Sequence, residues 1–282
     1  MTMPESLEQT AGAPAGTGGA TVLGPLIAEV LGPATASILE AAGDAAGLPA
    51  RAADRLNFRE AARQSRLEHI VRLASKSITE TKSEVRVENG WFSRFCDGAQ
   101  DAIHEAEAGV WAGLLTAEVN APGTIARRTL NFVRDMDVWE LESFAEYCAF
   151  SFAFESGWRF MFDEELARRE MWTYGREIDL SQHWIDIGLL APETARIESG
   201  AVRGLRIRYR ERIWELQAGD TPAEPANTKE TGVAYRKFTA IGQQIAGVLK
   251  TKTFNGYARN LVNALNASRG MGFAPVEPPP EA

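Results

Sequence analysis

The chain has 282 residues, 45% hydrophobic and 24% charged, with a formal net charge of -8. This is the balance of an ordinary folded protein and excludes a fibrous or low-complexity chain. The acidic surplus counts against a polyanion as main partner, because nucleic-acid binders carry a basic one. Thirteen Phe, seven Trp and five Tyr bring large apolar surfaces, and at roughly 25 cal/mol per Å² their burial orders the chain without a staple. The two cysteines, Cys96 and Cys148, lie in separate apolar helical patterns and read as buried thiols of a reducing compartment. No Lys or Arg precedes Arg51, so a basic signal region is missing and the expected address is the cytoplasm.

Residues 1–20 are rich in Gly, Ala, Pro and Thr without a periodic apolar pattern, and read as a disordered tail. The run Gly16-Thr-Gly-Gly19 lacks the preceding strand and following Lys of a phosphate loop. Residues 21–48 are apolar but contain Glu29, Glu40 and Asp44 and are cut by Gly and Pro. Short helices packing on the body or on another subunit are expected there, ahead of a membrane-spanning segment. A long helix follows from Arg51 to about Ile78, with Leu67, Ile70, Val71, Ala74 and Ile78 at helical spacing. Arg51, Arg55, Arg59 and Arg63 succeed one another at i, i+4 on another face, and residues 51–76 hold seven basic and three acidic side chains, a local +4. Such a ridge is a solvated, partly ion-paired face or a binding surface.

From Trp91 the pattern is helix after helix, and residues 50–175 are read as a helical domain. Trp111, Leu114, Leu115 and Glu118 share one helical face, placing a carboxylate on an apolar stripe. Asn120-Ala-Pro-Gly123 ends that helix and Thr124 offers a cap for the next, where Arg128 shares a face with Ile125 and Phe132. The expectation is a structural ion pair between Glu118 and Arg128 that locks the two helices together. A catalytic Glu118 has no His, Cys or metal-ligand spacing near it in sequence.

In "ESFAEYCAFSFAFESGWRFMFDEE" Phe144, Tyr147, Cys148 and Ser151 suit a helix, while Phe150, Phe152 and Phe154 alternate as a strand would. A helix to about Phe154 is expected, then a turn at Glu155-Ser-Gly157. Residues 179–268 read as a winged-helix-like α+β module. It comprises a helix closed by Gly188, an extended piece near Ala195 to Ser199, a basic strand and a polar linker, then an extended piece entering a helix at Thr239. Within "LRIRYRERI" a strand puts Leu205, Ile207 and Tyr209 on one side and Arg206, Arg208, Arg210 and Arg212 on the other. A helix through Val202, Leu205, Tyr209, Ile213 and Leu216 competes with it. Residues 269–282 read as a second disordered tail. The fold class is therefore mainly α, a helical body with a small C-terminal winged-helix-like β-hairpin element.

The segments "RLEHIVRLAS", "WFSRF", "VWAGLLTAEVNAPGTIARRTL" and "KFTAIGQQI" resemble the bacterial family called domain of unknown function 2806 from about residue 50 to 250. The residues carrying the resemblance are Trp91, Phe92, Trp111, Ala112, Glu118, Pro122, Gly123, Arg128, Thr129 and Leu130. The resemblance implies a mainly helical bacterial protein of mobile-element or defence-associated settings, similar in layout to helical abortive-infection proteins. It implies no reaction.

His69, His104 and His183 are dispersed without metal-ligand spacing, so no metal and no cofactor is expected. The acid pair Glu164-Glu165 lies beside Arg168 and Arg169 and reads as a solvated helix face. Without a catalytic motif the leading expectation is a non-enzymatic interaction protein. Its basic residues would engage an acidic protein surface or another copy of the chain. A nucleic-acid binder using a winged element and a membrane-acting effector using residues 21–48 stand as alternatives.

Overall fold

A computed structural model describes residues 17–33, 47–78, 86–198, 204–217, 232–254 and 256–276. The chain divides between Glu68 and His69 into two compact units. In the first lie α1 (Thr17–Leu31) and most of α2 (Leu48–Ser75). α1 starts inside the stretch read as a tail. Residues 1–16 of that tail and 34–46 of the apolar pieces lie outside the described residues. Gly32 has a φ of +91° and its open side lies against the Phe58 ring, where a Cβ would come within 3.1 Å. Among the described residues no helix is long and apolar enough to cross a membrane.

In the second unit the end of α2 supplies Ile70 and Ala74 to the core. The helices α3 (Asn89–Ala99), α4 (Glu105–Asn120), α5 (Arg127–Arg134) and α6 (Val138–Cys148) follow. Next come β1 (Phe152–Phe154), β2 (Arg159–Phe162), α7 (Glu165–Thr173), α8 (Ser181–Asp186) and β3 (Leu190–Ile197). The chain continues through β4 (Arg206–Tyr209), β5 (Arg212–Leu216), β6 (Val233–Phe238), α9 (Ala240–Val248), α10 (Tyr257–Arg269) and β7 (Phe273–Val276).

The strands form one seven-stranded sheet in the order β3-β6-β2-β1-β4-β5-β7, every neighbouring pair antiparallel. This overturns the expected mainly α body with a small winged-helix-like hairpin. The hairpin β4–β5 is an integral part of the sheet, flanked by β1 and β7. It also removes the division at 175–179, because β1 and β2 from the expected helical domain pair with β4 and β6 from the expected module.

The helix ends at Cys148 instead of near Phe154. Ser151 Oγ donates to the Cys148 carbonyl at 2.8 Å, and Phe152 then pairs with Phe160 across a hairpin turned at Gly157, φ +83°. On the sheet Phe152 meets Phe162 and Tyr209 at 5.1 and 5.5 Å, and Tyr257 of α10 covers Phe152 and Tyr209 at 6.2 and 5.7 Å. Burial of these rings supplies the main driving force here, and their edge-to-face contacts fix its geometry.

The C-terminal tail also differs from expectation as far as Val276, since β7 hydrogen-bonds to β5; residues 277–282 lie outside the described residues. α10 ends at Gly270 in the left-handed region. The Asn266 side chain then holds β7, donating to the Phe273 carbonyl at 2.7 Å and accepting its N–H at 2.9 Å. Replacing Asn266→Ala will lower the unfolding free energy by about 1–3 kcal/mol in urea titrations with an unchanged m-value. A stability equal to that of the parent chain would mean that the Asn266 clamp contributes nothing to the fold.

Candidate functional site

The family-like residues converge on the loop between α4 and α5. Pro122 and Gly123, the latter at φ +89°, reverse the chain after Asn120 and leave backbone amides without helical partners. Glu118, 3% exposed, receives two of them: Gly123 N–H on Oε1 and Ile125 N–H on Oε2, each at 2.8 Å. Charge-assisted bonds of this kind are about twice as strong as neutral ones. Trp91 Nε1 donates to the Ile125 carbonyl at 2.8 Å. From α9, Gln244 Oε1 accepts the Ala126 N–H at 3.1 Å and the Thr129 hydroxyl.

The rings beneath pack by close approach. Trp111 lies so near Gly98 that a Cβ there would sit 2.4 Å from it. Phe95 bridges Trp111 edge-on at 5.5 Å and Trp91 face-on at 5.6 Å, and the half-exposed Phe92 stacks on Phe95 at 5.9 Å. Leu130 and Thr129 are buried beside them.

The expected Glu118–Arg128 ion pair does not form. α5 begins at Arg127, with Ala126 and not Thr124 as its N-cap, and turns Thr129, Leu130 and Val133 inward. Arg128 is left exposed, while both oxygens of Glu118 are occupied by backbone amides. In front of the loop an open cleft is lined by Trp91, Glu118, Pro122 and Ile125, with Arg86, Glu88 and Arg127 around them. Glu88 pairs with Arg127. The buried carboxylate is thus engaged in holding the loop, and the basic groups stand at the rim.

The arginine candidates separate. Residues 203–216 settle as strand, not helix, from Arg206 onward, although Val202 and Arg203 lie outside the described residues. Arg206 and Arg208 share one exposed face, and Arg206 bonds Glu215 at 2.8 Å. Arg210 has left the ladder: it sits in the turn with φ 57° and donates to Thr251 Oγ1 and the Lys252 carbonyl. Arg212 pairs with Tyr209, which places it on the opposite strand face from Arg206 and Arg208. On α2, Arg55 is exposed, Arg51 and Arg59 are half-buried, and Arg63 donates to Glu60 at 3.3 Å.

Glu164 departs from the expected solvated face. It is buried, accepting the Ala234 N–H at 2.7 Å and Arg269 Nη2 at 2.9 Å, while Glu165 pairs with Arg168 and Arg169. His69 contacts Glu105 at 3.2 Å and His183 contacts Glu140 at 2.8 Å. Among the described residues no group of three or more His, Cys, Asp or Glu is placed to hold a metal ion. Gln243 and Gln244 were invisible as site residues. Their signal is two adjacent amides on the otherwise apolar helix "AIGQQIAGV".

Fold and site together describe an α+β protein whose signature residues assemble an internal junction. The family described as "Protein of unknown function (DUF2806)" matches residues 50–262. The chain belongs to that family. No curated protein and no solved structure matches it.

Glu118→Gln will cost about 2–3 kcal/mol of stability, because its amide group turns a donor toward a backbone N–H. Arg128→Ala will stay within about 0.5 kcal/mol of the parent. Paired urea denaturation curves check this, and equal losses would restore the ion pair.

Proposed function

We propose that the chain is a non-enzymatic interaction protein that works through protein contacts, and that its partner is a second copy of itself. The supporting observation is α2 over residues 48–68, where no residue is buried. Leu48, Leu56 and Phe58 are 58%, 60% and 36% exposed. Helices draw most of their stability from packing an apolar face, so a stretch of this length with exposed apolar side chains is suited to a docking surface. Leu23, Leu26 and Val30 of α1 are exposed as well.

Charge favours a second copy as the occupant. Residues 51–76 carry +4 within a chain of net -8, so the remaining residues sum to -12. A basic helix and an acidic remainder on the same molecule complement each other between copies. The cytoplasm is the proposed setting, supported by the free thiols of Cys96 and Cys148, both pushed up in pKa by burial.

Sedimentation velocity over a concentration series tests this reading. Reversible self-association that weakens with salt is expected, and Leu48→Glu combined with Leu56→Glu will return a monomer of unchanged helicity. A parent chain that sediments as a monomer at every concentration refutes it.

A further inference from the structure

On the face of the sheet opposite the Phe152 and Tyr209 rings, arginines gather without an acid to balance them. Ala153 of β1 pairs with Arg159 of β2 on one side and with Arg208 of β4 on the other. Residues directly opposite one another across antiparallel strands share a face, so the two arginines flank the small Ala153 side chain. Strands lie about 4.8 Å apart, which starts the two side chains about 10 Å from each other. Arg210 follows Arg208 by two residues, in the β4–β5 turn.

The donors of this group are largely unused. Arg159 is half-buried, and its Nη1 donates to Ser151 Oγ at 3.2 Å. Its Nε and Nη2 have no acceptor among the described residues and are not enclosed, so this edge is open to solvent. Two nitrogens on one edge of a planar guanidinium can grip two oxygens of a single anion. Arg208 is exposed and makes no bond among the described residues. Arg210 donates to Thr251 Oγ1 and the Lys252 carbonyl, both uncharged. The acids nearby do not compensate. Glu155 and Glu215 pair with Arg206, and Glu211 in the turn is exposed and unpaired. Burial lowers the pKa of Arg159, and the charges of Arg210 and Arg208 lower it further, so the three lie close enough to repel one another.

We infer that this patch binds a dianionic phosphate group, two of its oxygens on Nε and Nη2 of Arg159 and a third on Arg208, with the charge of Arg210 beside it. A tetrahedral dianion offers oxygens in the several directions from which these arginines come, whereas a carboxylate offers two in one plane. The site uses none of the residues of the α4–α5 loop or of the exposed faces of α1 and α2.

Isothermal titration of the full chain at low salt tests it with inorganic phosphate, phenyl phosphate, acetate and a single-stranded oligodeoxynucleotide. Saturable binding of inorganic phosphate and phenyl phosphate is expected, and none of acetate. Tighter binding of the ester identifies a small phosphorylated molecule as the source of the group, and tighter binding of phosphate the free ion. Arg159→Gln and Arg208→Gln will each weaken phosphate about tenfold or more, the loss of a charge-assisted bond. Arg212→Gln removes the same charge from the opposite strand face and will leave the affinity within about twofold of the parent. Near-UV circular dichroism confirms that each variant is folded. If Arg159→Gln does not fold, the comparison of Arg208→Gln with Arg212→Gln decides the matter. Absence of saturable phosphate binding, equal binding of acetate, an Arg208→Gln chain of full affinity, an equal loss in Arg212→Gln, or an oligonucleotide that binds while phosphate does not each overturns the inference.

Discussion

Two adjacent glutamines on α9 tie the sheet to the helices. Neighbouring side chains on a helix point about 100° apart, so Gln243 and Gln244 reach different elements from one turn. Gln243 accepts the Arg159 N–H at 2.9 Å and donates to the Gly157 carbonyl at 3.0 Å, fixing the β1–β2 hairpin. Gln244 holds the start of α5. Each position depends on where α9 lies, and that is set by backbone proximity. A Cβ on Gly242 would fall 2.0 Å from the Leu189 carbonyl oxygen, and one on Gly113 of α4 2.8 Å from Val248. Thr239 completes the placement by accepting the Gly242 N–H and donating to the Gly188 carbonyl. Glu118, Trp91 and the Pro-Gly turn are the far end of the same arrangement.

Of the arginines that look like a binding ladder in sequence, Arg210 serves as an internal tie, as Arg236 and Arg269 do elsewhere in the chain. Arg210 grips the loop after α9, Arg236 joins Asp163 to the carbonyls of Ala191 and Pro192, and Arg269 reaches from α10 to the buried Glu164. A guanidinium presents five donors in a plane and can satisfy several acceptors together, which a lysine cannot. This accounts for Arg210 within the cluster without requiring a polyanionic ligand.

Elements whose stabilisation is local were legible in the sequence. α2 shows its repeat, α4 its stripe ending in Glu118, α8 its glycine stop, and α9 its threonine cap. The sheet was not legible. β1 is three residues long inside an apolar run that suits either period, and its strand conformation follows from partners at Phe160 and Ile207 that no local pattern announces. Of the site, the converging residues Trp91, Glu118, Pro122 and Gly123 could be named. The partner of Glu118 could not, because backbone amides leave no mark in a side-chain pattern.

The strand order is also an order in time. During synthesis β1 and β2 emerge together, yet β2 must wait for β6, whose Lys237 pairs with Phe160, and β5 must wait for β7. Until then the phenylalanines of the first hairpin and the free edge of β2 stand open to other chains. Pairings this distant along the chain slow folding and lengthen exposure to aggregation. For this protein the vulnerable period at the ribosome is therefore set by the interval between making β2 and making β6. Cooling or chaperones would act on that half-built sheet.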